Sequence, residues 1–391
     1  MIAKSFVTIL AAASLASAQS QCTQSTITIN SSGDASNLKS CKTLKGNVVI
    51  GNQTDSTLTL DGPEEIQGDL TMVDNKKIVS FSSTSLKKIT GKMTLERDEL
   101  LSDLRFPNLS EVNSISWVTL SALSSLGTAI KKASTVVIAD TRIENLNGLD
   151  LVTVDNIDIN NNQRLQKFTS KLESVSTSFK ASVNGLGTNF EFPALKWVAE
   201  MAIANASSFT APQLNKVNNS IYFDFNFIKD ATFPNLTAVG KDFSFVGNSA
   251  LTNISAPQLT SIGGGLTIAN NTALESIDGL PKLKDVGGAV LMRGSFKSVS
   301  LPSLNDVKGV FDTQSTTDID SSCEVFKKAG SNGQIQGKVI CESNNSKAND
   351  DITAGSGSGS SNNNKNSATG TTTNMALLGL CIIGGAIVSF L

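Results

Sequence analysis

FPNLTAVGKDFSFVGNSALTNISAP, residues 233–257, holds one complete turn of the fold. It opens on Phe233-Pro234-Asn235-Leu236, passes Val239 and reaches Phe243-Ser244-Phe245, where apolar and polar residues alternate. A period of two puts Phe243 and Phe245 on the same side of a β-strand. Asn248 follows, and a short amide side chain at a strand end can satisfy backbone groups in the turn beyond it. Leu251 and Ile254 then step by three to Ala256-Pro257, where the motif starts again.

The same pattern extends in both directions. Its proline element recurs as Phe106-Pro107-Asn108-Leu109, Phe192-Pro193-Ala194-Leu195, Ala211-Pro212-Gln213-Leu214, Ala256-Pro257-Gln258-Leu259, Leu280-Pro281-Lys282-Leu283 and Leu301-Pro302-Ser303-Leu304. From Pro193 the steps are 19, 22, 23, 24 and 21 residues, the period of a solenoid whose coil is one short repeat. Its strand element recurs as Leu70-x-Met72-x-x-Asn75, Ile157-x-Ile159-x-x-Asn162, Ile221-x-Phe223-x-x-Asn226 and Leu266-x-Ile268-x-x-Asn271. The expected fold is mainly β, a parallel β-helix or leucine-rich-repeat-like solenoid in which the Asn residues form a ladder. One coil cannot bury its apolar side alone, so stability comes from stacking, and both open ends need a cover. Ser114 to Ser134 lacks the proline turn, and Trp117, Leu120, Leu123 and Leu126 at steps of three suggest a short helix there. Val136 to Leu149 resumes the beat loosely.

The ends read differently. Lys4, an apolar run from Phe6 to Leu15 and Ala16-Ser17-Ala18 have the order of a secretory signal peptide, so 1–18 is expected to be removed. Met375 to Leu391 is uncharged and apolar, behind a spacer from Thr369 to Asn374 and the small triplet Asn366-Ser367-Ala368. This is the order of a glycosylphosphatidylinositol (GPI) signal, with Asn366 as anchored residue and 367–391 removed. The domain expectation is a capped solenoid over 19–342 and a Ser/Gly/Asn-rich stalk over 343–366.

The 32 basic and 34 acidic residues nearly balance, which provides no basic field for nucleic acid. Of five cysteines, Cys381 falls in the removable tail, leaving Cys22, Cys41, Cys323 and Cys341 as two close pairs at opposite ends. In an oxidising compartment Cys22 with Cys41 and Cys323 with Cys341 is the economical pairing of the three that are possible. Helices over Asp34 to Cys41 and Cys323 to Ala329 would complete two disulfide-clamped caps. Nine Asn-x-Ser/Thr sequons stand at Asn30, Asn52, Asn108, Asn205, Asn218, Asn235, Asn253, Asn270 and Asn344, open to glycosylation in an exported chain.

Taken together, the signal peptide, Pro-x-Leu-x-x-Val/Ile repeats, terminal cysteine pairs, stalk and GPI tail resemble the fungal GPI-anchored cell-wall organisation proteins. That family includes a sporulation-specific yeast member and is related to the receptor L-domain. The resemblance covers essentially the whole chain. It implies a right-handed parallel β-helix-like solenoid and a role in wall integrity. It also implies a plasma-membrane location through the GPI lipid, with partial transfer to wall β-glucan.

The chain contains no histidine, so Ser-His-Asp, Cys-His and His-ligated metal sites are excluded, and no metal or cofactor is expected. Carboxylates remain: Asp224, Asp230 and Asp242 would be the candidates for a wall glucan-modifying enzyme, which needs two facing carboxyl groups. They read more simply as a solvated face, and the chain is expected to be non-enzymatic. The other alternative is an adhesin or receptor ectodomain. Gly263-Gly264-Gly265 lacks the Lys-Ser/Thr of a phosphate loop and reads as the turn into Leu266. Phenylalanine at inward coil positions, and Trp117 and Trp197 among apolar neighbours, read as core.

Overall fold

The computed structural model describes residues 21–349 apart from Gln53 and Leu186. The signal peptide, the GPI signal and Asn366 lie outside the described residues. The backbone winds as a β-solenoid, and its longest face is one parallel ladder of fifteen rungs. These are β1 (Thr26–Ile29), β2 (Asn47–Ile50), β3 (Leu70–Val73), β4 (Lys88–Glu96), β5 (Glu111–Leu120), β6 (Thr135–Thr141), β7 (Thr153–Asn160) and β8 (Ser174–Ser182). The ladder continues through β9 (Met201–Ala204), β10 (Ile221–Asp224), β11 (Phe243–Val246), β12 (Leu266–Ala269), β13 (Val290–Gly294), β14 (Phe311–Ser315) and β15 (Val339–Glu342). Eight of the rungs are preceded by a separate short strand such as Ser261–Ile262, and most are followed by another such as Asn253–Ser255.

Registered side chains form continuous columns. Val48 pairs with Leu70, Leu70 with Met93, Met93 with Ile115 and Ile115 with Val136, and further along Ile221 pairs with Phe243 and Phe243 with Leu266. A second column two residues on carries Leu95, Trp117, Ile138 and Ile159. All of these are essentially buried, each worth about 1.5–3 kcal/mol on removal from water. Phenylalanines fill the middle coils: Phe209 meets Phe223 edge-on with centroids 5.1 Å apart, and Phe243 meets Phe245 at 4.9 Å, the arrangement that the ring quadrupole favours.

The Asn ladder exists, and each amide works twice. Asn248 Oδ1 accepts from Asn226 N at 2.8 Å while its Nδ2 donates to Phe223 O at 2.8 Å. Asn271 repeats this with Asn248 N and Phe245 O at 2.9 and 3.0 Å. Asp98 takes the same place, accepting from Asn75 N at 2.8 Å.

Glycine is required where the short strand turns into the rung. A Cβ on Gly263 would lie 2.1 Å from Gly240 O, and one on Gly287 would lie 2.2 Å from Gly263 O. Gly263-Gly264-Gly265 is therefore a tightly stacked turn, as its sequence suggests.

Both ends are clamped. At the first, Cys22–Cys41 joins the segments flanking helix α1 (Ser32–Asn37), which Ser31 caps by accepting from Asp34 N. At the second, Cys323–Cys341 ties helix α2 (Asp320–Ser331) to β15, and Phe326 packs on Phe311 at 4.4 Å between centroids. The expected cap helices are thus displaced. The first ends before Cys41 and the second begins before Cys323, since the cysteines mark where the caps are tied and not where helices start or stop. Residues 343–349 stay on the solenoid, with Asn345 N bonded to Ser315 O and Ala348 buried.

Ser114 to Ser134 contains no helix. It holds most of β5, and Ser114, Ile115, Ser116 and Trp117 pair in register with Thr135, Val136, Val137 and Ile138. Leu120 and Leu123 enter the core at successive corners. A coil with a corner every few residues produces spacings of three without a helical turn.

Candidate functional surface

The fold brings the acidic residues to different places. Asp224 and Tyr222 occupy the outward positions of β10, since Ile221 and Phe223 point to the core. Asp242 lies at the base of β11 and accepts from Tyr222 Oη at 3.0 Å and from Gly265 N at 2.9 Å. Asp230 is exposed on a separate two-stranded sheet formed by Asp230–Thr232 and Asn253–Ser255. Burial pushes the Asp224 carboxyl up to about 6, and its Oδ1 has no hydrogen-bond partner. Burial raises Asp98 to about 6 as well, against the opposing pull of the Asn75 and Glu96 N–H groups. Asp98 belongs to the internal ladder and not to the surface. Two shallow clefts of about 340 and 420 Å³ adjoin one another and share Glu144 and Gln166.

The tryptophans separate. Trp117 is fully buried in the second core column, as read from its neighbours. Trp197 is only half-buried, and the reading of it as core is corrected. In the two-residue strand Trp197–Val198 the inward place belongs to Val198, and alternation turns the indole outward.

All nine sequon asparagines have solvent access. Asn30, Asn52, Asn108, Asn218, Asn235 and Asn344 are exposed, while Asn205, Asn253 and Asn270 are half-buried. Asn108 and Asn235 occupy the proline turns, where Nδ2 donates to Thr84 O at 2.7 Å and Pro212 O at 2.8 Å. Asn205 and Asn270 occupy a different position, the corner that ends a rung. Successive coils place Asp74, Arg97, Thr119, Asp140, Asn161, Val183, Asn205, Phe225, Gly247 and Asn270 there, all at positive φ between 52° and 70°. Asn, Asp and Gly tolerate that conformation, whereas Val and Phe are strained by it. Alternation and turn chemistry locate the corner in the sequence, but nothing there announces that apolar residues would be accepted at two of its positions.

A scan of family models matches residues 1–39 to "Ecm33: GPI-anchored cell wall organization protein". A cell surface GPI-anchored protein of Arthroderma benhamiae is 33% identical over 349 residues, covering 88% of this chain and 89% of that protein. Protein ecm33 of Aspergillus fumigatus is 34% identical over 326 residues, 82% of this chain and 80% of the relative. The cell surface GPI-anchored protein ECM33 of Candida albicans is 30% identical over 338 residues, 85% and 81%. No solved structure matches. With relatives of 30–34% identity over more than four fifths of the chain, this chain belongs to the Ecm33 family of GPI-anchored cell wall organization proteins.

Proposed function

We propose that the protein is a GPI-anchored glycoprotein of the fungal surface that supports wall organisation without catalysing a reaction. The observation that carries this is the 33% identity to a cell surface GPI-anchored protein across nearly the full length of both chains. The order of the ends supports the anchor: 1–18 and 367–391 are removed, Asn366 carries the lipid, and the stalk up to Asn366 spaces the solenoid from the membrane. The disulfides at both caps suit an oxidising exterior. Wall β-glucan is the partner, reached through the anchor remnant and through contacts on the solenoid.

A non-catalytic role is supported by the acidic residues. Glycoside hydrolysis needs two carboxyl groups about 5–10 Å apart across a sugar. Asp230 lies on a different sheet from Asp224, and Asp242 is already engaged by Tyr222 and Gly265.

Two experiments test this reading. Phosphatidylinositol-specific phospholipase is expected to release the protein from membranes, and recovery of the 367–391 peptide in the mature chain would contradict the anchor. Purified protein incubated with wall β-glucan is expected to produce no new oligosaccharide. Release that disappears in Asp224→Asn would establish the enzymatic alternative.

A further inference from the structure

Two of the ten positive-φ corner positions hold apolar side chains, and both adjoin the same sequon. Val183 has φ 52° and is 40% exposed, and Phe225 has φ 54° and is 50% exposed. Between them, one coil from each, stands Asn205 of Asn205-Ala206-Ser207. Val183 N donates to Asn205 Oδ1 at 3.2 Å, and Asn205 N donates to Phe225 O at 3.2 Å. Phe227, 44% exposed, donates its N–H to Ala206 O at 2.8 Å, so it borders the next sequon residue from the same coil as Phe225. Three of the eight large apolar side chains exposed among the described residues thus surround one glycosylation motif. The Oδ1 bond fixes the amide of Asn205, whose Nδ2 bonds to no other described residue.

Phe225 is seated by the absence of a side chain above it. A Cβ on Gly247 would lie 2.6 Å from the Phe225 ring, so glycine leaves the space in which the ring lies flat on the corner. A strained backbone that keeps an aromatic ring in solvent requires something to cover the ring. Three side chains are far too little for a protein partner, which needs roughly 800 Å² per side. They are enough for one or two pyranose rings, whose C–H faces stack on aromatic and branched apolar groups. A single stacking contact is too weak to hold a free saccharide. A sugar tethered next to it acts at an effective concentration on the order of millimolar or higher, and so stays in place.

We propose that Asn205 is an occupied N-glycosylation site whose first sugars pack on Phe225, Phe227 and Val183, so that the chain's own glycan seals an apolar corner of the solenoid. The proposal rests on the reading of the chain as an exported protein. In the modification, the Asn205 Nδ2–C1 bond forms as the bond from C1 to the phosphate oxygen of a lipid-pyrophosphate oligosaccharide breaks. One amide proton is lost and the lipid pyrophosphate leaves. Burial of these apolar side chains under the sugar offsets part of the cost of the strained backbone.

The test uses full-length protein secreted from a fungal host, with glycans trimmed to the first N-acetylglucosamine. Peptide mass spectrometry is expected to show Asn205 glycosylated, and its N-acetylglucosamine protons are expected to be shifted upfield by ring currents by a few tenths of a ppm. Phe225→Asn places a residue suited to positive φ at the corner, so it is expected to fold with an unchanged or higher Tm and to lose most of the upfield shift, Phe227 supplying the remainder. Ser207→Ala removes the sequon without touching Asn205 and is expected to lower Tm by a degree or two. An unmodified Asn205 peptide beside glycosylated peptides from other sequons overturns the proposal alone, as does an upfield shift that is undiminished in Phe225→Asn. Absence of sugar from every sequon overturns the exported reading as well.

Discussion

Asp98 is buried where several other coils use Asn, and it is the residue at which protonation and stability are most directly linked. Its carboxyl is raised from an ordinary 3.8 to about 6 because burial penalises the charge more than two backbone N–H groups stabilise it. The folded chain therefore binds this proton more tightly than the unfolded chain does. The resulting stabilisation is complete below about pH 4 and is lost as pH rises through about 6. Asp98→Asn supplies the ladder's own side chain without the charge. At pH 7 it is expected to stabilise the protein by about 1 kcal/mol in urea denaturation, an advantage that narrows toward pH 4.5. A variant less stable than wild type at pH 7 would show that the carboxylate's two accepted hydrogen bonds outweigh its burial. The sequence signature x-x-Asn identified the ladder at positions 75, 162, 226, 248 and 271 but missed Asp98, Thr141 and Asn184. Thr141 Oγ1 bonds Asn162 Oδ1, and Asn184 Nδ2 bonds Ile159 O at 2.8 Å, so different side chains meet the same backbone demand.

Among the elements, the coil corners bear the most constraint. Asn248→Ala deprives Asn226 N of its acceptor and Phe223 O of its donor inside the core. It is expected to cost about 3 kcal/mol, read as a shift in the urea midpoint with unchanged slope. Gly263→Ala directs a methyl group at Gly240 O and is expected to destabilise by about 2 kcal/mol or more, whereas Gly333→Ala meets no atom within 4 Å and is limited to the strain of its φ of 80°. The caps are held by loops of 19 and 18 residues, each disulfide worth about 3 kcal/mol by loop closure. The double variant Cys22→Ser, Cys41→Ser is expected to speed amide exchange in β1 and β2 first and to leave β10 to β12 protected. Uniform loss of protection would mean that the ladder unfolds as one unit. Repeats and inward columns were legible because each depends on a side-chain period, and the caps because paired cysteines mark where they are tied. The coil over 114–134 was not, because Leu120 ends a rung, Leu123 follows the turn beyond it and Leu126 precedes the next short strand, and period alone cannot distinguish that spacing from a helix.

At the scale of the whole molecule, stacking spreads stability along a rod most of whose charges lie on its surface. Ion pairs such as Lys42–Glu64–Lys87 cross neighbouring coils while well exposed, and they contribute little to stability. The family was legible in the sequence because its marks are spread over the full chain, while the sugar-bearing corner at Asn205 was not. Its apolar neighbours Val183 and Phe225 lie about twenty residues to either side and come together only when the coils stack. In the proposed role, this solenoid acts at the cell surface to keep the wall organised. The most direct measurement is growth of a gene-deletion strain on a wall-binding dye, with the full chain or a chain ending at residue 366 returned to it. The deletion is expected to be hypersensitive, with resistance restored by the full chain and not by the chain that lacks the GPI signal. Wild-type growth of the deletion strain, or full rescue by the unanchored chain, would contradict it.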